Sequence, residues 1–146
     1  MKKYIVLLVF AVSVLVAYSC NSSTTQAHAE SESTELQEAI ITKNVSAKDF
    51  QKLIQDKSNA ILLDVRTPNE VAQGIIKDAE KIDFYDPNFK AELDKLDKSK
   101  VVLIYCRSGR RSGITMSTLR ELGFGEVYNL QGGIIEWSAA GMEIVK

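Results

Sequence analysis

Val101-Val102-Leu103-Ile104-Tyr105-Cys106-Arg107-Ser108-Gly109-Arg110-Arg111-Ser112 is the stretch on which the reading of this chain turns. The run from Val101 to Tyr105 is aliphatic and aromatic without alternation, which predicts a strand buried on both faces, as in a parallel sheet. Gly109 lets the chain turn sharply. From Ser112 the spacing becomes helical, with Ile114, Thr115, Thr118, Leu119 and Leu122 predicted on one inward face and Gly123 as the stop. Cys106 therefore stands in a short loop between a strand end and a helix start. Helix N-termini carry unsatisfied N–H donors and a positive dipole end, and Arg107, Arg110 and Arg111 crowd the same loop. All of these favour a thiolate over a thiol.

A cysteine can also be an inert packing residue, and most free cysteines are. The basic loop argues for the reactive alternative. Several familiar ways of using a thiol are excluded by count. His28 is the single histidine and lies in a polar N-terminal stretch, so a Cys-His dyad has no partner. Cys20, the other cysteine, belongs to the N-terminal leader, so no Cys-x-x-Cys couple and no zinc ligand set is available.

The surrounding sequence alternates strand and helix signals. Ile40 to Thr42 predicts a strand start, and Ser46 caps a helix with Phe50, Leu53 and Ile54 inward. Ala60 to Val65 predicts a strand, followed by a short helix begun by Thr67-Pro68 and ended by Gly74. Lys81 to Phe84 predicts a short strand and Asp86-Pro87 a helix running through Leu96. After the helix that follows Cys106 come a strand at Glu126 to Leu130 and a helix from Gly133 to Ala140, with Gly141 as its stop and Trp137 as a core residue. Such alternation predicts a mostly parallel central sheet covered by helices on both faces, with the site beyond the strands' carboxyl ends, where Cys106 falls.

Four blocks of this pattern resemble the rhodanese sulfurtransferases. They are Leu62-Leu63-Asp64-Val65-Arg66-Thr67-Pro68-Asn69-Glu70, Tyr105-Cys106-Arg107-Ser108-Gly109-Arg110-Arg111-Ser112, Leu122-Gly123-Phe124 with Val127-Tyr128-Asn129-Leu130, and Gly132-Gly133 with Trp137. Their order and spacing follow that family across residues 44 to 145. The resemblance implies a three-layer α/β rhodanese-like fold and Cys106 as a nucleophile that carries sulfane sulfur as a persulfide. It further implies that Arg107, Ser108, Gly109, Arg110, Arg111 and Ser112 form the substrate cradle, and that Asp64, Arg66 and Glu70 support the loop from a neighbouring strand end. The implied donor is a small anionic sulfur compound, the acceptor a thiol or a cyanide-like nucleophile, with no cofactor and no metal. The chain departs from the family at Gly74-Ile75-Ile76, where a histidine is common but has no catalytic role. Two other readings remain open: a thiolate phosphatase or arsenate reductase, and a catalytically silent rhodanese-like binding module. Related phosphatases place five residues between cysteine and arginine, whereas here Arg111 is the fifth residue after Cys106, a shorter loop that favours sulfur over phosphate.

Lys2 and Lys3 precede an apolar run from Tyr4 to Tyr18 interrupted only by Ser13, the pattern of a signal peptide over residues 1–19. Cys20 directly after it resembles a bacterial lipoprotein attachment site, which implies an extracytoplasmic membrane lipoprotein held through the lipid alone. Cleavage after Ala29 with soluble periplasmic secretion, or a retained anchor, is the alternative. Residues 20–39 are too poor in apolar side chains to fold and are expected to combine the attachment cysteine with a polar tether, and residues 40–146 are expected to form the single domain that resembles the rhodaneses. The formal net charge is −1 and the acidic excess grows once Lys2 and Lys3 are removed. No broad basic footprint for nucleic acid exists, and a monomer is expected.

Overall fold

The computed structural model describes residues 40–146. The signal segment, Cys20 and the tether over residues 20–39 lie outside the described residues. Five strands form one wholly parallel sheet, β1 (Ile41–Val45), β2 (Ile61–Asp64), β3 (Glu80–Lys81), β4 (Val102–Tyr105) and β5 (Glu126–Leu130), in the order β1-β5-β4-β2-β3. Helices α1 (Ala47–Asp56), α2 (Pro68–Val71), α3 (Phe89–Asp94), α4 (Arg110–Glu121) and α5 (Gly133–Ala139) connect and cover them.

Local chemistry accounts for most boundaries. Ser46 caps α1 by accepting the Asp49 amide at 3.2 Å. Thr67 and Glu70 form a reciprocal capping box on α2, with Pro68 in its first turn. Gly123, at φ +95°, ends α4 in the left-handed conformation that a side chain would resist.

β4 is the central strand, and Val102 to Tyr105 are all buried, which is why their sequence does not alternate. Alternate residues feed two cores. Val102 and Ile104 pack with Leu63, Leu93, Leu119 and Phe124 under α3 and α4. Leu103 and Tyr105 pack with Phe50, Leu130 and Trp137 under α1 and α5, where the Phe50 and Trp137 rings meet edge to face. The result is the three-layer arrangement expected from the alternating pattern.

Three boundaries and one helix face depart most from the sequence reading. α4 begins at Arg110, two residues before Ser112, because Gly109 takes φ +83° and closes the turn immediately ahead of it. Ile114 is not on the inward face: Ser112, Thr115 and Leu119 are buried, and Ile114 is 49% exposed. The helix rotates to tuck Ser112 beneath the loop, which carries Ile114 outward. The third strand is Glu80–Lys81 instead of Lys81 to Phe84, since this edge strand leaves the sheet as soon as β2 ends. Phe84 packs instead against Phe89 and the rim of the α3 core. Finally, α3 spans only Phe89–Asp94 within the predicted Asp86 to Leu96.

The chain leaves β2 toward β3 on one side and β4 toward β5 on the other. Their exits diverge at the carboxyl edge of the sheet and open a crevice there. Cys106 sits on the β4 side of that crevice and Asp64 to Arg66 on the β2 side.

Candidate active site

Cys106 is 1% exposed, immediately past the last residue of β4. Two carbonyls fix the loop that follows. The Cys106 carbonyl accepts the Ile134 amide at 2.9 Å and the Arg107 carbonyl accepts the Ile135 amide at 3.2 Å, which satisfies two of the free donors at the start of α5. In a planar trans peptide the next N–H points away from the carbonyl. Tying the Arg107 carbonyl to α5 therefore turns the Ser108 amide inward, toward the sulfur. Close approach of these segments requires glycine at two points. A Cβ on Gly133, at φ +61°, would collide with the Cys106 and Arg107 carbonyls, and one on Gly109 would come within 2.8 Å of the Gly132 nitrogen.

The sulfur lies in a ring of donors. Burial pushes the Cys106 thiol up, but hydrogen bonds from the Ser112 hydroxyl and from the amides of Ser112, Ser108 and Arg111 outweigh it and bring it below the ordinary thiol value. The Ser112 hydroxyl donates to Cys106 Sγ at 3.3 Å. Among the described residues no histidine or carboxylic acid takes part. The site thus stabilises an anion on sulfur without offering it a proton.

The three loop arginines separate. Arg111 donates through Nη2 to Glu70 Oε1 and Oε2 at 2.6 and 2.8 Å, with its guanidinium over the Tyr85 ring at 5.6 Å. That pairing holds the Glu70 carboxyl at about 2. Arg107 and Arg110 are exposed and form no ion pair among the described residues. The immediate stabilisers of the thiolate are amides and a hydroxyl, and the arginines supply charge from farther out. The resemblance implied Ser112 as part of the cradle; that its hydroxyl as well as its amide faces the sulfur is visible only once the helix rotation is known.

Asp64 and Arg66 are buried and paired. Arg66 Nε donates to both Asp64 oxygens at 2.9 Å and Nη2 to Oδ2 at 2.6 Å. The guanidinium also donates to the Gly74 carbonyl at 2.7 Å and the Glu70 carbonyl at 3.1 Å, and stacks 5.6 Å from the Tyr105 ring. This network joins the end of β2 to α2, which in turn presents Glu70 to Arg111. None of the three residues hydrogen-bonds the sulfur. Asn129 was not singled out for the site by sequence, yet it sits under the loop and donates to the Gly109 carbonyl at 3.2 Å.

Two cavities flank the loop. One of about 500 Å³ lies between Arg107, Arg66, Glu70, Ile134 and Ile135. The other, of about 550 Å³, lies between Ser108, Arg110, Asn44 and Asn129. Cys106 lines neither; Arg107 and Ser108, next to it in the chain, border one each.

Comparison with known proteins places this geometry in a family. The model of the rhodanese-like domain matches residues 46–140. A sulfurtransferase of Allochromatium vinosum is 35% identical over 105 residues, covering 72% of this chain and 96% of that protein. The crystal structure of a rhodanese-related protein from Thermoplasma volcanium superposes with TM-score 0.62 at 27% identity, covering 70% of this chain and 97% of that one. The solution structure of a polysulfide-sulfur transferase homodimer from Wolinella succinogenes gives TM-score 0.61 at 31% identity, over 71% of this chain and 78% of that one.

Proposed function

The chain belongs to the rhodanese-like domain family, and on that premise we propose that it is a sulfurtransferase in which Cys106 carries the sulfur. The observation that carries this reading is the donor ring: a buried sulfur faced by the Ser108, Arg111 and Ser112 amides and the Ser112 hydroxyl, with its ionisation eased and no acid beside it.

In the first step the Cys106 thiolate attacks the outer sulfur of a donor such as thiosulfate. A new sulfur–sulfur bond forms to Cys106 as the donor's own sulfur–sulfur bond breaks, and sulfite leaves with the electron pair. The persulfide keeps one negative charge, now on the added sulfur, which the amide ring can hold as preorganised dipoles that need no reorganisation. In the second step an acceptor nucleophile attacks that outer sulfur and the Cys106 thiolate leaves. Cyanide would become thiocyanate and a thiolate a persulfide. Arg107 and Arg110, exposed at the rim, would attract anionic donors and acceptors. Lipidation of Cys20 and an extracytoplasmic location complete the reading, supported by the leader's sequence pattern.

Mass spectrometry of the full chain after exposure to thiosulfate tests the reading: one added sulfur on the Cys106 peptide, removed by cyanide, is expected. An unmodified Cys106 under these conditions and with a polysulfide donor would overturn it.

A further inference from the structure

Asn129 occupies a place in the sheet that the sulfur-transfer reading leaves without a part. In the strand register it lies beside Asn44 of β1 and Ile104 of β4. Successive side chains alternate between the faces of a strand, so Cys106, two residues beyond Ile104, leaves the sheet on the face that Asn129 occupies. Val127, Ile104 and Cys106 all belong to the core beneath α4. Asn129 continues that line from Val127 as a polar residue, 3% exposed, against the start of the helix.

Its hydrogen bonds run one way. Nδ2 donates to Asn44 Oδ1 at 2.8 Å and to the Gly109 carbonyl at 3.2 Å, while Oδ1 has no partner. An unpaired buried carbonyl oxygen destabilises the fold, so the contribution of this amide lies in its two donors. The Gly109 carbonyl is the one at which α4 starts, since it also accepts the Gly113 amide at 3.0 Å. Gly109 has no side chain with which to cap the helix, and a Cβ there would meet the Gly132 nitrogen at 2.8 Å. In place of a capping oxygen, the Arg111 and Ser112 amides, second and third in α4, meet the Cys106 sulfur. Because each peptide is planar, fixing the Gly109 carbonyl fixes the plane that leads into this first turn. Asn129 holds that carbonyl from the sheet. Asn44, exposed on the edge strand β1, orients the Asn129 amide by accepting its other N–H.

We propose that Asn129, oriented by Asn44, is a positioning residue for the Cys106 chemistry, and that its grip on the Gly109 carbonyl aims the first amides of α4 at the sulfur. The inference rests on the reading of Cys106 as the reacting thiolate. Both asparagines are uncharged, so neutral replacements leave the charges near the loop, Arg107, Arg110, Arg111 and Glu70, as they are.

The test reads ionisation and stability side by side. The pH midpoint of Cys106 alkylation and the urea midpoint of unfolding are measured on the full chain and its variants. Asn129→Leu is close in size and removes the unpaired oxygen together with both donors. It should raise the alkylation midpoint by about half a unit or more, about threefold less thiolate at neutral pH, without loss of stability. Asn44→Ala, at an exposed position, should raise the midpoint by less. The double variant should match Asn129→Leu alone, because Asn44 acts only through Asn129. An unchanged midpoint in Asn129→Leu, at any stability, would overturn the proposal, as would additive shifts from the two positions. If Asn129→Leu does not fold, Asn44→Ala decides: a raised midpoint supports the proposal and an unchanged one overturns it. Alkylation needs no sulfur donor, so failure of the sulfur-loading experiment would count against the transfer reading and leave this result standing.

Discussion

Glu70 and Arg111 are 41 positions apart in the chain, and the Arg111 guanidinium donates to both carboxylate oxygens of Glu70, at 2.6 and 2.8 Å. The contact spans the crevice between the β2 and β4 exits and pins the first turn of α4, which supplies two of the amides around Cys106. Both side chains are mostly buried, 11% and 22% exposed, so the pair is screened less than a surface ion pair.

Replacing the carboxylate tests this pin. Glu70→Gln should cost about 1.5–3 kcal/mol, the range for a hydrogen bond to a charged group. Pairing lowers the folded Glu70 pKa to about 2, so its stabilisation is complete above the unfolded carboxylate value, near about 4.3, and is lost as pH falls through the folded one. Urea midpoints of the wild type should fall more steeply than those of Glu70→Gln across that interval. Parallel curves would show that the pair adds nothing to stability.

The ring around Cys106 predicts an ordered set of ionisation changes. The pH midpoint for alkylation of Cys106, followed on its own peptide by mass spectrometry, should lie below that of a free thiol, near about 8.5. Ser112→Ala removes the hydroxyl donor at 3.3 Å and should raise the midpoint. Arg111→Ala should raise it more than Arg110→Ala, because Arg110 faces the neighbouring groove and Arg111 lies where its charge reaches the sulfur. Equal shifts from the two arginines would mean diffuse charge in place of a shaped site.

Cys106→Ser should abolish thiosulfate-dependent thiocyanate formation while leaving the fold intact, since oxygen cannot carry the added sulfur and the volume change is small. Turnover comparable with wild type would remove Cys106 from the mechanism. Cys106-dependent hydrolysis of an aryl phosphate in the same preparation would favour the phosphatase alternative.

Gly133→Ala should damage the loop from a distance in sequence. A left-handed alanine and a forced contact with the Cys106 and Arg107 carbonyls together cost about 2–4 kcal/mol. The carbonyls that turn the amides inward would shift as well, so the alkylation midpoint should rise alongside the loss of thermal stability. A destabilised protein with an unchanged midpoint would show that α5 supports the fold without aiming the donors.

Cys20→Ala should abolish incorporation of labelled palmitate in cells and release the protein from the membrane fraction. Each buried CH₂ of an acyl chain supplies about 0.8 kcal/mol, so losing the chains removes the anchor. A mature N-terminus at Glu30 without lipid would support soluble secretion.

The strand, loop and helix around Cys106 were legible in the sequence because they rest on neighbours. An unalternating apolar run makes a strand buried on both faces, Ser46 and Thr67-Pro68 start helices, and Gly123 ends one, each through contacts within a few residues. The parallel sheet followed from the alternation of such units. Which donors face the sulfur was decided elsewhere. Glu70 reaches Arg111, Ile134 reaches the Cys106 carbonyl, and Asn129 reaches Asn44 across 85 positions only because the strands assemble in the order β1-β5-β4-β2-β3. The rotation of α4 that buries Ser112 and exposes Ile114 belongs with them. Helical periodicity places residues relative to one another around the axis, whereas the packing of α4 against β4 and β5 chooses which side turns inward.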